Sequence, residues 1–207
     1  LIKECYDFDK LRSVVKQLSY NLDQIITVNR YPTYRTMVSN GRWRPIAIGR
    51  QGTADLFHSF EIAFDSETAR LFDRYIQENI YYAALEASSE MAQEFGAYDK
   101  FEGSPYEQGQ FHWERQKDPV ALGNRQHNVL PDTPQYSDLD WELLRSQIRQ
   151  GMRNSLHVAN MPTASTAQIL GNNECFEPYT RNFYKRQLDS GEYLVLNIHL
   201  VEALEKL

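Results

Sequence analysis

The chain has 207 residues, of which 42% are hydrophobic, 24% are charged and 13% are aromatic, and its formal net charge is −6. This length suits one large domain or a piece of a bigger one, and the aromatic content argues against wholesale disorder. Because acidic and basic residues are interspersed, the composition excludes a generally basic nucleic-acid-binding surface but leaves room for a local anion site. No apolar run is long enough to cross a membrane, and no signal peptide is visible.

The cysteines, the histidines and the chain ends carry little chemistry by themselves. Cys5 and Cys175 are far apart in the sequence and form no CxxC pair, which favours two reduced cysteines in a cytoplasmic protein over a disulfide. The chain starts at Leu1 and stops inside a helical pattern, so both ends are interpreted as cuts. The chain is then either a trimmed sequence or a piece of a longer or split enzyme. No metal site is expected, because the histidines lack metal-ligand spacing. They are His58, His112, His127, His157 and His199.

Helical spacing governs the first part of the chain. Apolar residues recur at helical intervals from Asp7 to about Asn29, and Asp7 or Asp9 can cap this predicted helix. Pro32 and the pair Asn40–Gly41 then predict a break with a turn. This region is therefore expected to hold one long helix followed by irregular structure.

A short strand and two helices are predicted next. In the stretch RPIAIG at 44–49, two isoleucines alternate with small residues, which is typical of a strand buried on both faces. A helix should start near Thr53. The following helix is capped by Asp65 or Ser66 and ends before Gly96, a residue suited to a left-handed backbone. Its apolar stripe contains Phe72, Ile76, Ile80, Ala83, Ala84, Ala87, Met91 and Phe95.

The second half combines a polar segment, helices and short strands. Glutamine, asparagine, histidine and proline dominate residues 106–136, which predicts a long surface insertion compatible with partial disorder. A helix resumes near Asp138, EYLVLN at 192–197 reads as a strand after the turn at 189–191, and a closing helix follows. Alternating strands and helices predict an α/β architecture with a largely parallel sheet. The helix near Asp138 has one apolar side, formed by Trp141, Leu144, Ile148 and Met152.

The strand-to-helix junction in HVANMPTASTAQILGNNE, residues 157–174, is the strongest candidate for a binding site. A helix start leaves N–H groups without intrahelical partners and carries partial positive charge, which suits an anion such as phosphate. Ala164 gives the backbone clearance, and Pro162 limits the turn. The added hydroxyl donors are Thr163, Ser165 and Thr166. The same residue types are favoured N-caps in helices that bind nothing, and no P-loop signature is present, so the pattern alone leaves the ligand open.

The junction and five other blocks resemble a known family. The run MPTASTAQILGNNE, with NRYP, SN..WRPIAIG.QG.AD.F, IYYAALEAS, FEGSP and RNSL in the same order, closely resembles the C-terminal half of the catalytic barrel of the class I ribonucleotide reductase large subunit, of the eukaryotic and large-DNA-virus type. The resemblance runs from about Tyr6 to the end, apart from 106–136, so residues 1–207 are assigned to one barrel half. It implies part of a ten-stranded α/β barrel.

The resemblance also implies an activity and a ligand. The family reduces ribonucleoside diphosphates to 2′-deoxyribonucleoside diphosphates by thiyl-radical chemistry, for DNA precursor synthesis. In the family, the segment that matches Thr163, Ala164, Ser165 and Thr166 binds the substrate diphosphate, and the residue that matches Pro162 lies alongside. The resemblance thus names the ligand that the residue pattern leaves open.

Several parts of the enzyme are missing from this chain if the resemblance holds. The radical cysteine, its assisting Asn and Glu, and the first redox cysteine belong to segments before the matched part, and so does the effector site. The radical-relay tyrosines and the reducing cysteines belong after it. Neither Cys5 nor Cys175 matches a family cysteine, so no catalytic residue is assigned and the chain alone is predicted to be inactive.

The same resemblance sets the expected cofactors and partners. This segment is expected to bind no cofactor, while the complete enzyme uses a radical from a metal-containing small subunit and ATP or dNTP effectors. The expected partners are the ribonucleoside diphosphate, the rest of the large subunit, the small subunit and a further copy in a homodimer or higher oligomer. Neither nucleic acid nor a membrane is expected, and the location is cytoplasmic.

Other residues receive structural interpretations. Tyr81 and Tyr82 lie in mid-helix, where aromatic packing is expected rather than radical transfer. Residues 172–174 are expected to end the short helix and to brace the loop. Arg153 and Asn154 are expected to orient the strand that leads into the junction, without contacting substrate.

Two departures from the family pattern and two rival hypotheses complete the sequence analysis. Arg50 stands where the family usually has an apolar residue, and Ile198 replaces a usual proline, but neither belongs to the phosphate loop. One rival is a non-catalytic module that binds a nucleotide or phosphate. The other is an interaction subunit of a split reductase, whose half barrel would expose sheet edges.

Overall fold

The computed structural model describes residues 5–115, 138–188 and 191–207. Within these ranges, no helix combines the length and the apolar character that a bilayer span requires. The elements in chain order are α1 (Phe8–Val28), α2 (Tyr34–Trp43), α3 (Thr53–Ser59), α4 (Glu67–Phe95), α5 (His112–Arg115), α6 (Trp141–Ile148), α7 (Ala164–Leu170), β1 (Phe183–Leu188), β2 (Gly191–Leu196) and α8 (Ile198–Glu205).

The chain divides into two compact units. The core unit comprises residues 1–48 and 74–159, and the hairpin unit comprises residues 49–73 and 160–207. The first turns of α4 belong to the hairpin unit, and the rest of that helix belongs to the core unit.

Two long helices begin where their capping residues predict. The Asp7 carboxylate accepts a hydrogen bond from the Lys10 backbone N–H (2.8 Å) at the start of α1. The Ser66 hydroxyl accepts one from the Ala69 N–H (3.1 Å) at the start of α4. Gly96 follows the last residue of α4 with φ 82°, the left-handed conformation that favours glycine there. The predicted bounds of both helices are confirmed.

Helix α2 contradicts the predicted turn at Asn40–Gly41. The chain does break at Pro32, but Thr33 then forms a capping box with Thr36, and the helix continues through the Asn–Gly pair. The Asn40 side-chain amide donates to the Thr36 carbonyl one turn earlier (2.9 Å), so the asparagine supports the helix here. Because both sides of the N-terminal cap are satisfied, the local turn preference of Asn–Gly is overridden. The helix ends only at Arg44, which has φ 43°.

The core unit is built around aromatic side chains. Tyr81 and Tyr82 on α4 pack against Trp141 on α6, with ring centroids 6.2 and 5.1 Å apart, so the expectation of packing is confirmed. The buried side of α6 is also as predicted. Three of the residues predicted for this side are fully buried: Leu144 and Ile148 within α6, and Met152 just after it.

Part of the segment predicted as a surface insertion lies in this core. Phe111 and Trp113 fall within 106–136, yet Phe111 is completely buried and its ring stacks on Trp113 with centroids 4.7 Å apart. For these two residues the expectation of surface location is wrong. Large aromatic side chains in a polar segment are buried here because α6 offers Trp141 as a packing partner. Residues 116–137 of the predicted insertion lie outside the described residues.

A buried carboxylate anchors the segment before the junction. Asp23 on α1 is completely buried and accepts hydrogen bonds from Arg44 Nε (2.8 Å), Arg153 Nε (3.3 Å) and Asn154 Nδ2 (3.0 Å). The Asn154 backbone N–H also donates to the Ser88 hydroxyl of α4 (2.9 Å). Arg153 and Asn154 therefore fix the chain against two helices, which is the orienting role expected from the sequence.

The predicted strand at 44–49 forms only a minimal parallel pairing. Ile48 and Val158 make an isolated parallel bridge, with the Ile46 N–H donating to Leu156 O (3.1 Å) and the Ile48 N–H donating to His157 O (2.9 Å). Within the described ranges the extended sheet is instead antiparallel. The expectation of a largely parallel sheet is therefore not met. A parallel sheet needs further strands on either side, whereas the described residues form one parallel pairing, that of Ile48 with Val158. The mixed helix and strand content agrees with the α/β expectation.

The hairpin unit contains the antiparallel pair β1–β2. Its register runs from Phe183 opposite Leu196 to Leu188 opposite Gly191. The strand predicted at 192–197 corresponds to β2, and the closing helix corresponds to α8. Strand β1 was not predicted, because FYKRQL does not alternate apolar and polar residues. Residues 189 and 190 of the predicted turn lie outside the described residues.

Candidate functional site

The junction at 157–174 contains helix α7 close to where the sequence predicts it. Thr163 is the N-cap residue and Gly171, with φ 71°, is the C-cap. Pro162, Ala164 and Ser165 are exposed, as is Thr166, whereas Thr163 is partly buried. Residues 163–166 are called the cradle from here on. The sequence-predicted site residues are therefore contiguous on the surface of the hairpin unit.

The cradle presents backbone donors. The first N–H group of α7 that bonds within the helix is that of Ala167, which donates to Thr163 O (2.8 Å). Among the described residues, the N–H groups of Ala164, Ser165 and Thr166 have no acceptor. Unpaired amides at a helix start carry partial positive charge and suit an anion. Because Ala164 has a single methyl group, an approaching ligand meets little side-chain bulk.

The three hydroxyl groups of the cradle have different roles. The Thr163 hydroxyl accepts the Cys175 backbone N–H (2.9 Å), so it faces the protein. The Thr166 hydroxyl lies within donating distance of Gln51 Oε1 (2.9 Å) and of Thr163 O (3.1 Å). The Ser165 hydroxyl has no hydrogen-bond partner in the described ranges. The sequence pattern groups the three as ligand donors, whereas the structure leaves Ser165 as the hydroxyl available to a ligand.

Cys175 closes the loop beneath the cradle. Its side chain is buried, and its thiol donates to the carbonyl of Met161 (3.1 Å). Its backbone has φ 49°, which is uncommon for a residue with a side chain. Neither Cys175 nor the exposed Cys5 forms a disulfide. Cys175 is thus held in place by hydrogen bonds to Met161 and Thr163, which lie on either side of Pro162.

The loop after α7 runs along the start of α3. The Gly52 N–H donates to Asn173 O (3.0 Å), and the Thr53 N–H donates to Cys175 O (3.5 Å). Gly52 has φ 76°, and a Cβ atom there would approach the Asn172 side chain at 3.4 Å. Glycine at this position therefore allows two backbone segments to run side by side.

Asp55 on α3 accepts three hydrogen bonds from later segments of the hairpin unit. Its carboxylate accepts the Asn173 backbone N–H (2.7 Å), the Tyr179 hydroxyl (2.5 Å) and His199 Nε2 (2.9 Å). Burial by itself disfavours the charged carboxylate, but the three donors outweigh burial and lower the pKa of Asp55. Burial and the hydrogen bond to Asp55 raise the pKa of Tyr179, so its hydroxyl remains a donor. The His58 ring stacks on His199 with centroids 4.8 Å apart.

The sequence analysis missed Asp55 and Gln51. An acidic residue in the first turn of a helix is ordinarily explained by the helix dipole, so Asp55 carries no separate signal. Their partners lie more than a hundred positions further along the chain. No periodicity connects positions so far apart. The expectation that residues 172–174 brace the loop is consistent with the Asn173 contact.

Two arginine side chains near the loop, Arg50 and Arg186, are already paired. Arg50 forms an ion pair with Asp73 (2.5 Å), and its guanidinium lies over the Phe176 ring at 5.8 Å. Arg186 forms an ion pair with Glu174 (3.1 Å). An anion at the cradle would therefore be met first by backbone amides. In the parts of the chain that the structure describes, no group of three or more His, Cys, Asp or Glu side chains could hold a metal ion.

Comparison with known proteins assigns the family. The family model for the barrel domain of ribonucleotide reductase matches residues 2–207. The ribonucleoside-diphosphate reductase large subunit of Acanthamoeba polyphaga mimivirus is 47% identical over 204 residues, which is 98% of this chain and 22% of that protein. The large subunit of Arabidopsis thaliana is 46% identical over 200 residues, 96% of this chain and 23% of that protein. That of Variola virus is 48% identical over 201 residues, 96% of this chain and 24% of that protein.

The chain spans less than a quarter of the length of these curated relatives. The matched part nevertheless includes the cradle, the loop after α7 and the hairpin, because the family match reaches residue 207. On this basis, the chain belongs to the ribonucleotide reductase barrel-domain family.

Proposed function

We propose that this chain is part of a ribonucleoside-diphosphate reductase large subunit and that its cradle binds the diphosphate of the substrate. The complete enzyme would reduce ribonucleoside diphosphates to 2′-deoxyribonucleoside diphosphates for DNA precursor synthesis. The observation that carries the proposal is the set of unpaired backbone N–H groups at Ala164, Ser165 and Thr166. Relatives whose names state an action on ribonucleoside diphosphates are similar to 96–98% of this chain.

The cradle would act by positioning the substrate. Its three free amides donate to phosphate oxygens, the Ser165 hydroxyl adds a fourth donor, and Pro162 lies at the edge of the turn. Fixing the diphosphate holds the ribose in one orientation, which lowers the entropic part of the reaction barrier. The catalytic chemistry would be supplied by residues outside this chain, so this chain alone is expected to show no reductase activity.

The complete enzyme would include further components. The chain would contribute part of a ten-stranded barrel wall, including the parallel pairing of 46–48 with 156–158. A metal-containing small subunit would supply the radical, and ATP or dNTP effectors would regulate substrate choice at a site outside this chain. The rest of the large subunit and a further copy of it would complete a cytoplasmic homodimer or higher oligomer.

The two rivals are less well supported than the reductase assignment. A non-catalytic phosphate-binding module and an interaction subunit of a split reductase would both keep the cradle. The similarity to intact large subunits extends over 96–98% of the chain. This similarity favours a piece of the catalytic subunit.

Ser165→Asp in the complete large subunit tests the proposal. A carboxylate about 4 Å from a phosphate costs roughly 1–4 kcal/mol in partly screened surroundings, so the dissociation constant for a ribonucleoside diphosphate should rise about fivefold or more. Calorimetric titration measures it. Thr180→Asp is the matched control, because it adds the same charge at an exposed hydroxyl residue of the same unit. Equal affinities of Ser165→Asp and the unaltered subunit would refute the assignment of the cradle.

A further inference from the structure

We infer that Asp55 is a positioning residue for the cradle, holding it through the loop after α7, an inference that rests on the proposed function. Asp55 makes no hydrogen bond to residues 163–166 in the described structure. It acts on the Asn173 backbone N–H, which it binds at 2.7 Å. The inference therefore depends on how this loop is connected to the cradle.

The connection from Asp55 to the cradle is short and continuous. Two residues after Asn173, the Cys175 backbone N–H donates to the Thr163 hydroxyl (2.9 Å). Thr163 in turn accepts the first intrahelical bond of α7 through its carbonyl, from Ala167 (2.8 Å). A displacement of the loop at Asn173 would thus be passed to the N-cap residue of the cradle helix.

A second connection starts from the same segment. Gln51, four residues before Asp55, accepts the Thr166 hydroxyl through Oε1 (2.9 Å). The segment 50–55 therefore contacts α7 at its N-terminal turn and the loop that follows its C-terminus. One contact in the first turn of this seven-residue helix and one just beyond its C-cap restrict both its translation and its rotation.

The Asp55 carboxylate is itself held by residues that come later in the chain. The Tyr179 hydroxyl (2.5 Å) and His199 Nε2 of α8 (2.9 Å) both donate to Oδ1, while Asn173 donates to Oδ2. A carboxylate can accept about four hydrogen bonds, so most of its capacity is used and its rotation is fixed. The remaining histidine of this cluster, His58, contacts His199 by ring stacking. Asp55 thus links α3, the loop after α7, the segment before β1 and α8.

A residue that holds the cradle without touching the substrate should weaken diphosphate binding first, and should lower turnover only as far as the ribose is displaced. Asp55→Ala removes the acceptor of the Asn173 N–H. Because contact networks typically modulate a distant site by about three- to thirtyfold, we expect about a tenfold rise in the KM for the ribonucleoside diphosphate and a kcat within about twofold of the unaltered enzyme. Asp55→Asn retains an acceptor oxygen, so it should recover part of the affinity.

The test uses the complete large subunit with its small subunit, and inorganic pyrophosphate as a probe of the cradle alone. Competition by pyrophosphate should weaken about as much as the KM rises in Asp55→Ala, because the probe has no base or ribose. Asp65→Ala is the matched control, since Asp65 is an exposed carboxylate of the same unit whose side chain makes no hydrogen bond among the described residues. It should leave KM, kcat and pyrophosphate inhibition unchanged.

Tyr179→Phe provides a second variant in case Asp55→Ala does not fold. It keeps the ring and removes one donor to Asp55, so the KM should rise about two- to threefold with kcat unchanged. A fall in kcat at constant KM, in either variant, would overturn the positioning role. So would unchanged KM and pyrophosphate inhibition in both.

Ser165→Asp in the same assay separates this inference from the proposed function. If Ser165→Asp weakens pyrophosphate binding and the Asp55 and Tyr179 variants do not, the cradle stands and the positioning role of Asp55 is wrong. If none of the variants alters pyrophosphate binding, the diphosphate assignment itself is wrong.

Discussion

The core unit and the hairpin unit are stabilised in different ways. The core unit buries a continuous cluster around Phe111, Trp141 and Leu144. In the hairpin unit, six of the described apolar side chains are buried: Ala54, Phe57, Ala69, Phe72, Ala167 and Cys175. Directed hydrogen bonds hold the cradle and its loop instead. Because burial is non-directional and hydrogen bonds have strict geometry, the first unit is suited to stability and the second to holding backbone donors in place.

Two aspartates illustrate the difference. Asp23 in the core unit is completely buried between two arginines and an asparagine. Asp55 in the hairpin unit is only partly buried and accepts bonds from a backbone amide, a phenol and an imidazole. Removing Asp23 leaves buried positive charge without a carboxylate partner, whereas removing Asp55 leaves uncharged donors in a partly exposed place. The first change should therefore affect folding and the second should affect the site.

The largest expected effect is on the core unit. Asp23→Ala should lower the stability of this unit by about 3–5 kcal/mol, because it removes the carboxylate partner of the Arg44 and Arg153 guanidinium groups. Native-state hydrogen exchange at the α1 and α4 amides of the complete subunit measures the change in this unit. Asp99→Ala, at an exposed carboxylate of the same unit, is the control and should have no effect. Unaltered protection in Asp23→Ala would show that the ion pairs and hydrogen bonds of Asp23 contribute no stability to the core unit.

The effect of intermediate size is a loss of stability of the core unit at low pH. His157 is buried, and its burial lowers the pKa to about 3, so the imidazole stays neutral in the folded core unit. In the unfolded chain its pKa is about 6.5. As the pH falls below that value, the unfolded state binds a proton that the folded state does not, and stability declines until about pH 3.

The size of this pH effect follows from the pKa difference. At pH 5 the loss should be about 2 kcal/mol, since each unit of pKa difference contributes about 1.4 kcal/mol. His157→Gln should flatten the decline between pH 6.5 and 5 in hydrogen-exchange protection of the core unit. His58→Gln, in the hairpin unit, should leave the decline in place. An equally steep decline in His157→Gln would show that another group causes it.

Local chemistry explains what the sequence could predict. Asp7, Ser66 and Gly96 act within a few residues of their own positions, so the bounds of α1 and α4 follow from them. The helix start at Thr163 follows from local features in the same way, whereas the phosphate-binding role of the cradle stays a prediction. The turn at Asn40–Gly41 failed because Thr33 caps a helix that overrides it.

Tertiary contacts explain what the sequence could not predict. The Thr163 hydroxyl faces inward only because Cys175 returns beneath it, and Asp55 reaches the loop only because α3 lies beside residue 173. Phe111 is buried because α6 provides Trp141. None of these relations has a local pattern in the sequence.

The smallest expected effect concerns Cys175. Cys175→Ser keeps the backbone N–H that binds Thr163, and its hydroxyl can still donate to Met161 O. The dissociation constant for a ribonucleoside diphosphate and the turnover of the complete enzyme should therefore change by less than about threefold, which is less than the loss of one typical hydrogen bond would cause. Steady-state kinetics measures both values. A loss of turnover by orders of magnitude would instead make Cys175 a catalytic thiol.

The most direct test of the account is a crystal structure of the complete large subunit with a bound ribonucleoside diphosphate. Phosphate oxygens should lie about 3 Å from the backbone nitrogens of Ala164, Ser165 and Thr166, the usual N–H···O distance, with the Thr163 hydroxyl still bound to Cys175. A diphosphate bound elsewhere, or those three amides covered by other protein groups, would contradict it.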